Sequence, residues 1–196
     1  MRLFLSAHKT FILILSTLLL YSACSSKPKP KEPNPVRRKS PIAIANTLHK
    51  PSDTYIKVVY GQPYKKGRNI FGELIPYGEI WRTGANEATE ITTTQDIILG
   101  GKKVNAGTYA LFTIPRKNND WTIVLNDVLG QWGAFNYNSS HDVLRTHASA
   151  IQKSSAFEAL TIQFSEIVND STNMIIQWDH TEVKIPIIFS DSNPSS

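Results

Sequence analysis

The chain has 196 residues, of which 41% are hydrophobic and 19% charged, ordinary usage for a globular protein. Its formal net charge of +5 would suit a nucleic-acid binder, but residues 25–40 carry Lys27, Lys29, Lys31, Arg37, Arg38 and Lys39 against Glu32 alone, whereas residues 41–196 hold 13 Lys and Arg against 15 Asp and Glu, a net charge of −2. A weakly acidic folded part has no basic face for a phosphate backbone, so no nucleic-acid partner is expected.

The first elements in the chain are read as an export signal. Residues 1–10 are polar with Arg2 and Lys9, residues 11–20 read FILILSTLLL, and the small residues Ser22 and Ala23 precede Cys24. This is the layout of a secretory signal, here 1–23, whose apolar part is shorter than the roughly 20 residues of a membrane span. Cys24 is the sole cysteine, and YSAC resembles a bacterial lipobox, with Tyr21 where most have Leu. The resemblance implies lipid on Cys24 and hence a membrane partner, since two acyl chains anchor stably where one does not. Ser25 follows in place of Asp; by analogy with better-known lipoprotein sorting, this points to the outer membrane. Residues 24–40, rich in Pro and Lys, have little to bury and are read as an extended tether. One domain over 41–190 and a short tail, 191–196, follow. That domain is long enough to bury about two-thirds of its unfolded surface without a disulfide or metal.

From Asp53 onward the chain alternates short β-rich runs with turn signals. The runs are Asp53 to Tyr60, Thr89 to Thr94, Ile97 to Leu99, Lys102 to Val104, Thr108 to Ile114 and Trp121 to Asn126. Asp142 to Ala148 is ambiguous, and 141–152 is the best helical candidate, a weak one. Ala159 to Phe164, Asn173 to Trp178 and Glu182 to Ile188 complete the series. Gly100-Gly101 is a two-residue hairpin signal. The pattern predicts an all-β fold, an antiparallel β-sandwich or flattened barrel of about nine strands. Tyr60 to Thr89 breaks the strand rhythm, and its Phe71, Tyr77 and Trp81 argue for one long ordered loop.

That loop, YGQPYKKGRNIFGELIPYGEIWRTGANEAT, together with GGKKVNAGTYALFTIP (100–115) and QWGAFNY (131–137), closely resembles the bacterial family known as domain of unknown function 2911. The resemblance runs from about Pro41 to Ile188. It implies an exported protein of the Bacteroidetes type and supports the architecture, but it brings no activity.

The residues read for function cluster in the same stretches. Arg82, Asn86 and Glu87 lie close together beside Gly84, and Arg68 is near in sequence; two guanidinium forks can hold a carboxylate or phosphate. The structural alternative is that Arg82 and Glu87 pair with each other inside the loop. Trp81, Trp132, Phe135 and Tyr137 either build an aromatic platform for a sugar ring or plug the end of the sandwich. A glycosidase would need two carboxyls at a fixed separation, and Glu87 is the residue to carry acid or base chemistry if any does. No histidine pair has zinc-site spacing, no nucleophile elbow is present, and Ser140, His141 and Asp142 are adjacent only in sequence. No metal and no cofactor are expected. Three functions follow: a module binding a small polar or saccharide ligand, a structural or assembly partner of another envelope protein, and an envelope hydrolase.

Overall fold

The computed structural model describes residues 38–117 and 120–190. The expected signal, Cys24, most of the expected tether and the expected tail lie outside the described residues. Among the described residues, ten strands form two antiparallel sheets. The first has β1 (Ile42–His49), β2 (Thr54–Gly61), β3 (Thr89–Thr93), β6 (Gly107–Ile114), β7 (Trp121–Asn126) and β8 (Asp142–Ala148), in the order β1-β2-β3-β6-β7-β8. The second has β4 (Ile97–Leu99), β5 (Lys102–Val104), β9 (Ala150–Phe164) and β10 (Ser171–Phe189), in the order β5-β4-β10-β9. The fold is an all-β sandwich, as the strand pattern predicts.

The core lies between the sheets. Ile56, Val58, Ile91, Leu111, Ile123 and Leu125 face it from one side, and Leu99, Leu160, Ile162, Ile176, Ile185 and Ile187 from the other. Successive side chains of a strand point to opposite faces of its sheet, which sends these to the face between the sheets. Gly100 and Gly101, at φ 55° and 80°, close the β4–β5 hairpin with Leu99 opposite Lys102, a turn that needs left-handed backbone at both positions.

The strands differ from expectation in three places. Strand β1 was not in the predicted series because its apolar residues point outward: Ile42, Ile44 and Leu48 are exposed, while Ala45 and His49 face inward. The segments 173–178 and 182–188 are halves of one strand. Inward residues are even-numbered through Met174, Ile176 and Trp178, then odd-numbered through Val183, Ile185 and Ile187. Register shifts on both sides of Asp179, at φ 52°, change the phase, so both halves keep their apolar face on the core. Residues 142–148 and 150–164 are strands rather than a helix. Most of β9 up to Ala159 is exposed or partly so, and it is ordered by pairing to β10 rather than by burial.

The long loop is ordered by aromatic packing. Ile70 is fully buried, and Phe71 meets Trp121 edge-on at 4.8 Å between ring centroids. Trp81 stacks on Trp178 at 6.0 Å. Tyr77 stays partly exposed.

Candidate functional site

Residues 81–89 leave and rejoin a single line beside β6. Trp81 exchanges two backbone hydrogen bonds with Thr113, at 2.8 and 2.9 Å, and Thr89 pairs with Leu111. Between them, 82–88 form an excursion closed by the Thr89 N–H donating to the Arg82 carbonyl at 3.1 Å. Its inward side chains hold it down. The Trp81 indole N–H donates to the Gly84 carbonyl at 3.2 Å, the Thr89 hydroxyl to the Thr83 carbonyl at 2.9 Å, and the Thr83 hydroxyl to Thr113 Oγ1 at 3.2 Å. Thr83 sits at φ 56°, uncommon for a β-branched residue, and Asn86 at φ 67°. Gly61 passes beneath, its carbonyl accepting from the Ala85 N–H at 3.1 Å. A Cβ on Gly61 would lie 2.0 Å from the Ala85 carbonyl oxygen, so only glycine permits this approach.

The outward side chains of the excursion face an open cleft of about 580 Å³, within the size range of small-ligand sites. Arg82, Gly84, Ala85 and Asn86 line one side, Lys66 and Arg68 another, and Lys39 the segment entering β1; Leu74, Ile75, Pro63 and Trp178 supply apolar wall. Arg82 is half-buried and its Nε is buried without a hydrogen-bond partner among the described residues. Burial pushes its guanidinium below the ordinary arginine value. Arg68 is held in place from behind: its Nε and Nη2 donate to the carbonyls of Lys65 and Tyr64 at 2.9 and 2.6 Å.

The expected pair of Arg82 with Glu87 does not form. Glu87 is gripped by both guanidinium nitrogens of Arg38, with Nη1 to Oε1 at 3.0 Å. Arg38 holds the Glu87 carboxyl below its ordinary value through that hydrogen bond. A general acid needs the opposite shift, so the geometry offers Glu87 no support in that role. Glu87 lines a smaller, separate hollow of about 210 Å³ with Ile42, Val59, Tyr60 and Glu90.

The remaining sequence-derived residues are spread out. Arg68, Arg82 and Asn86 share the cleft. Trp81 lies beneath it in the core, only 4% exposed. Trp132 is 59% exposed and pairs through its backbone with Glu87. Gly133 next to it donates to the Asn86 carbonyl at 2.9 Å, which places Trp132 beside the cleft rather than in it. Tyr137 is elsewhere: its ring packs edge-on against Phe112 at 5.0 Å, its hydroxyl donates to Asp142 at 2.7 Å, and it accepts from Arg145 at 2.5 Å. Phe135 is 85% exposed.

Sequence reading missed two features. Lys39 and Lys66 join the cleft, and their density in basic runs was the only signal. Ser52, His49 and Asp170 form a hydrogen-bonded chain, Ser52 Oγ to His49 Nδ1 at 2.6 Å and His49 Nε2 to Asp170 at 3.0 Å. The connectivity matches a hydrolytic triad, but Ser52 is 2% exposed, its Oγ also meets Thr54 Oγ1 at 2.7 Å, and His49 is stacked on Phe189. A nucleophile must reach a substrate carbonyl. This chain is a lock between the β1–β2 and β9–β10 turns.

Residues 40–187 match the family described as "Protein of unknown function (DUF2911)", and the chain belongs to that family. No curated protein and no solved structure matches it.

Proposed function

From membership in a family without an assigned activity, we propose that this chain is an exported lipoprotein, anchored through Cys24, whose sandwich binds a small polar ligand in the Arg82 cleft. The observation that carries the binding reading is Arg82 itself. A half-buried guanidinium with an unpartnered Nε is costly to the free protein. Arg82 also lines an accessible cleft, where the outer part of its guanidinium is ready for an outside acceptor. The surrounding loop is pinned by hydrogen bonds that use neither Arg82 nor Asn86 side chains, so the cleft is preorganised.

The test is a thermal-shift panel of sugars, organic acids and phosphate compounds on the mature chain and on Arg82→Ala. Binding at this site raises Tm for at least one class in the wild type and not in the variant, while both keep the same circular dichroism. A panel in which every shift survives in Arg82→Ala defeats the reading. The anchor is tested apart from this: Cys24→Ser should move the protein from the membrane to the soluble fraction, and unchanged membrane recovery would count against lipidation. The partner reading draws on the exposed Val128, Leu129, Trp132 and Phe135. It requires that Trp132→Ala with Phe135→Ala abolish crosslinking to an envelope protein, and persistence of the same crosslink would remove its support.

A further inference from the structure

We infer that the ligand of the Arg82 cleft is a small organic anion, recognised through a phosphate or carboxylate group. This deepens the polar-ligand reading and rests on it. Four cationic side chains, those of Lys39, Lys66, Arg68 and Arg82, line the cleft, and among the described residues no Asp or Glu does. Lys39 comes from the basic segment before the domain, and the other three stand out in residues 41–196, which carry a net charge of −2. Positive charge gathered in one concave site focuses the field there and raises the local concentration of anions.

The described residues do not neutralise this charge from within. Four carboxylates on the segments around the cleft are already bonded elsewhere. Glu87 is held by Arg38 and Asp179 by Lys65, Glu73 accepts from the Asn69 amide at 2.8 Å, and Glu158 accepts from the Lys66 backbone N–H at 2.8 Å. The side chains of Lys39, Lys66 and Arg82 have no hydrogen bond or ion pair among the described residues. Arg68 spends two donors on backbone carbonyls, which fixes the plane of its guanidinium and leaves its remaining edge available. Two arginine forks, one fixed by the backbone and one half-buried, suit a planar or tetrahedral oxyanion better than the scattered hydroxyls of a neutral sugar. The cleft, at about 580 Å³, is far larger than a bare phosphate, and its Leu74, Ile75 and Pro63 wall gives an organic body something to pack against.

The experiment uses the mature chain with a matched pair of probes, glucose and glucose 6-phosphate, together with inorganic phosphate and citrate. Binding is read by thermal shift and calorimetry for the wild type, Arg82→Met and Lys66→Ala. Lys66→Ala removes an exposed, unbonded side chain and keeps the test valid should Arg82→Met fold poorly. Glucose 6-phosphate and at least one of the two simple anions should bind, with glucose inert. Affinity should fall with added NaCl and weaken at least about tenfold in Arg82→Met, the loss expected for one charge-assisted hydrogen bond. Equal binding of glucose and glucose 6-phosphate, lost in Arg82→Met, would overturn the anion inference and leave the polar-ligand reading standing. Anion shifts identical in all three proteins would place the anion elsewhere and overturn it, as would no binding by any charged probe. Vesicles of phosphatidylglycerol that displace glucose 6-phosphate would assign the anion to a lipid headgroup, and vesicles that do not would assign it to a free solute; either result supports an anion site.

Discussion

Replacing Arg82 by Met separates a binding residue from a structural one by the sign of its effect. Met has the length to fill the same space as the arginine stem and carries no group that requires a partner. In the wild type, Nε is buried and unbonded, and no carboxylate lines the cleft beside the guanidinium among the described residues. An orphaned buried donor costs about 1–3 kcal/mol. Because the outer part of the guanidinium reaches the open cleft, the lower end applies, and Arg82→Met should gain about 1 kcal/mol of stability. For a domain of this size that is a rise of about 2–4 °C in Tm. Urea unfolding of the unliganded protein in a phosphate-free, low-salt buffer measures it directly, with the buried Trp121 and Trp178 as fluorescence reporters. Anions must be absent, since a bound ion would stabilise the wild type and mask the gain. A loss of about 1 kcal/mol or more would refute the reasoning, for it would mean that Arg82 makes a stabilising bond within the fold.

Two further predictions address the loop and its neighbour. Gly61→Ala puts a methyl group 2.0 Å from the Ala85 carbonyl, a backbone atom that cannot rotate away; it should cost about 1–3 kcal/mol by overpacking and abolish any Arg82-dependent ligand shift. An unchanged Tm and intact binding would show that the excursion yields freely. Tyr137 is pushed up to about 12, first by burial and then by its hydrogen bond to Asp142. Below pH 10 its contribution to stability is complete. As pH rises from 10 towards 12 the unfolded chain ionises this phenol while the folded one does not, so stability is lost. The wild type should therefore lose stability more steeply than Tyr137→Phe across that window, and parallel curves from pH-dependent urea titrations would reject the assignment.

Local chemistry determined a good part of this protein. Period-2 alternation marked β2 and the 159–164 end of β9, short apolar runs bounded by turn signals marked β6 and β7, the Gly100-Gly101 pair set the β4–β5 hairpin, and the aromatics of residues 60–89 announced an ordered loop, because each depends on neighbours within a few residues. Where the pattern failed, the tertiary structure had changed what it meant. Ile42, Ile44 and Leu48 are apolar yet outward-facing on β1, and the irregularity at Asp179 switches which parity of β10 is buried. The candidate site was legible only as a parts list. Arg68, Arg82 and Asn86 could be named, but the partner of Glu87 proved to be Arg38, 49 residues away, and His49 meets Asp170 across 121 residues. Whether a charged side chain is satisfied depends on which distant segments the sheets bring beside it. Among the described residues Arg82 has no ion-pair partner because folding assigns the neighbouring carboxylates to other donors, an outcome that no short stretch of the chain encodes.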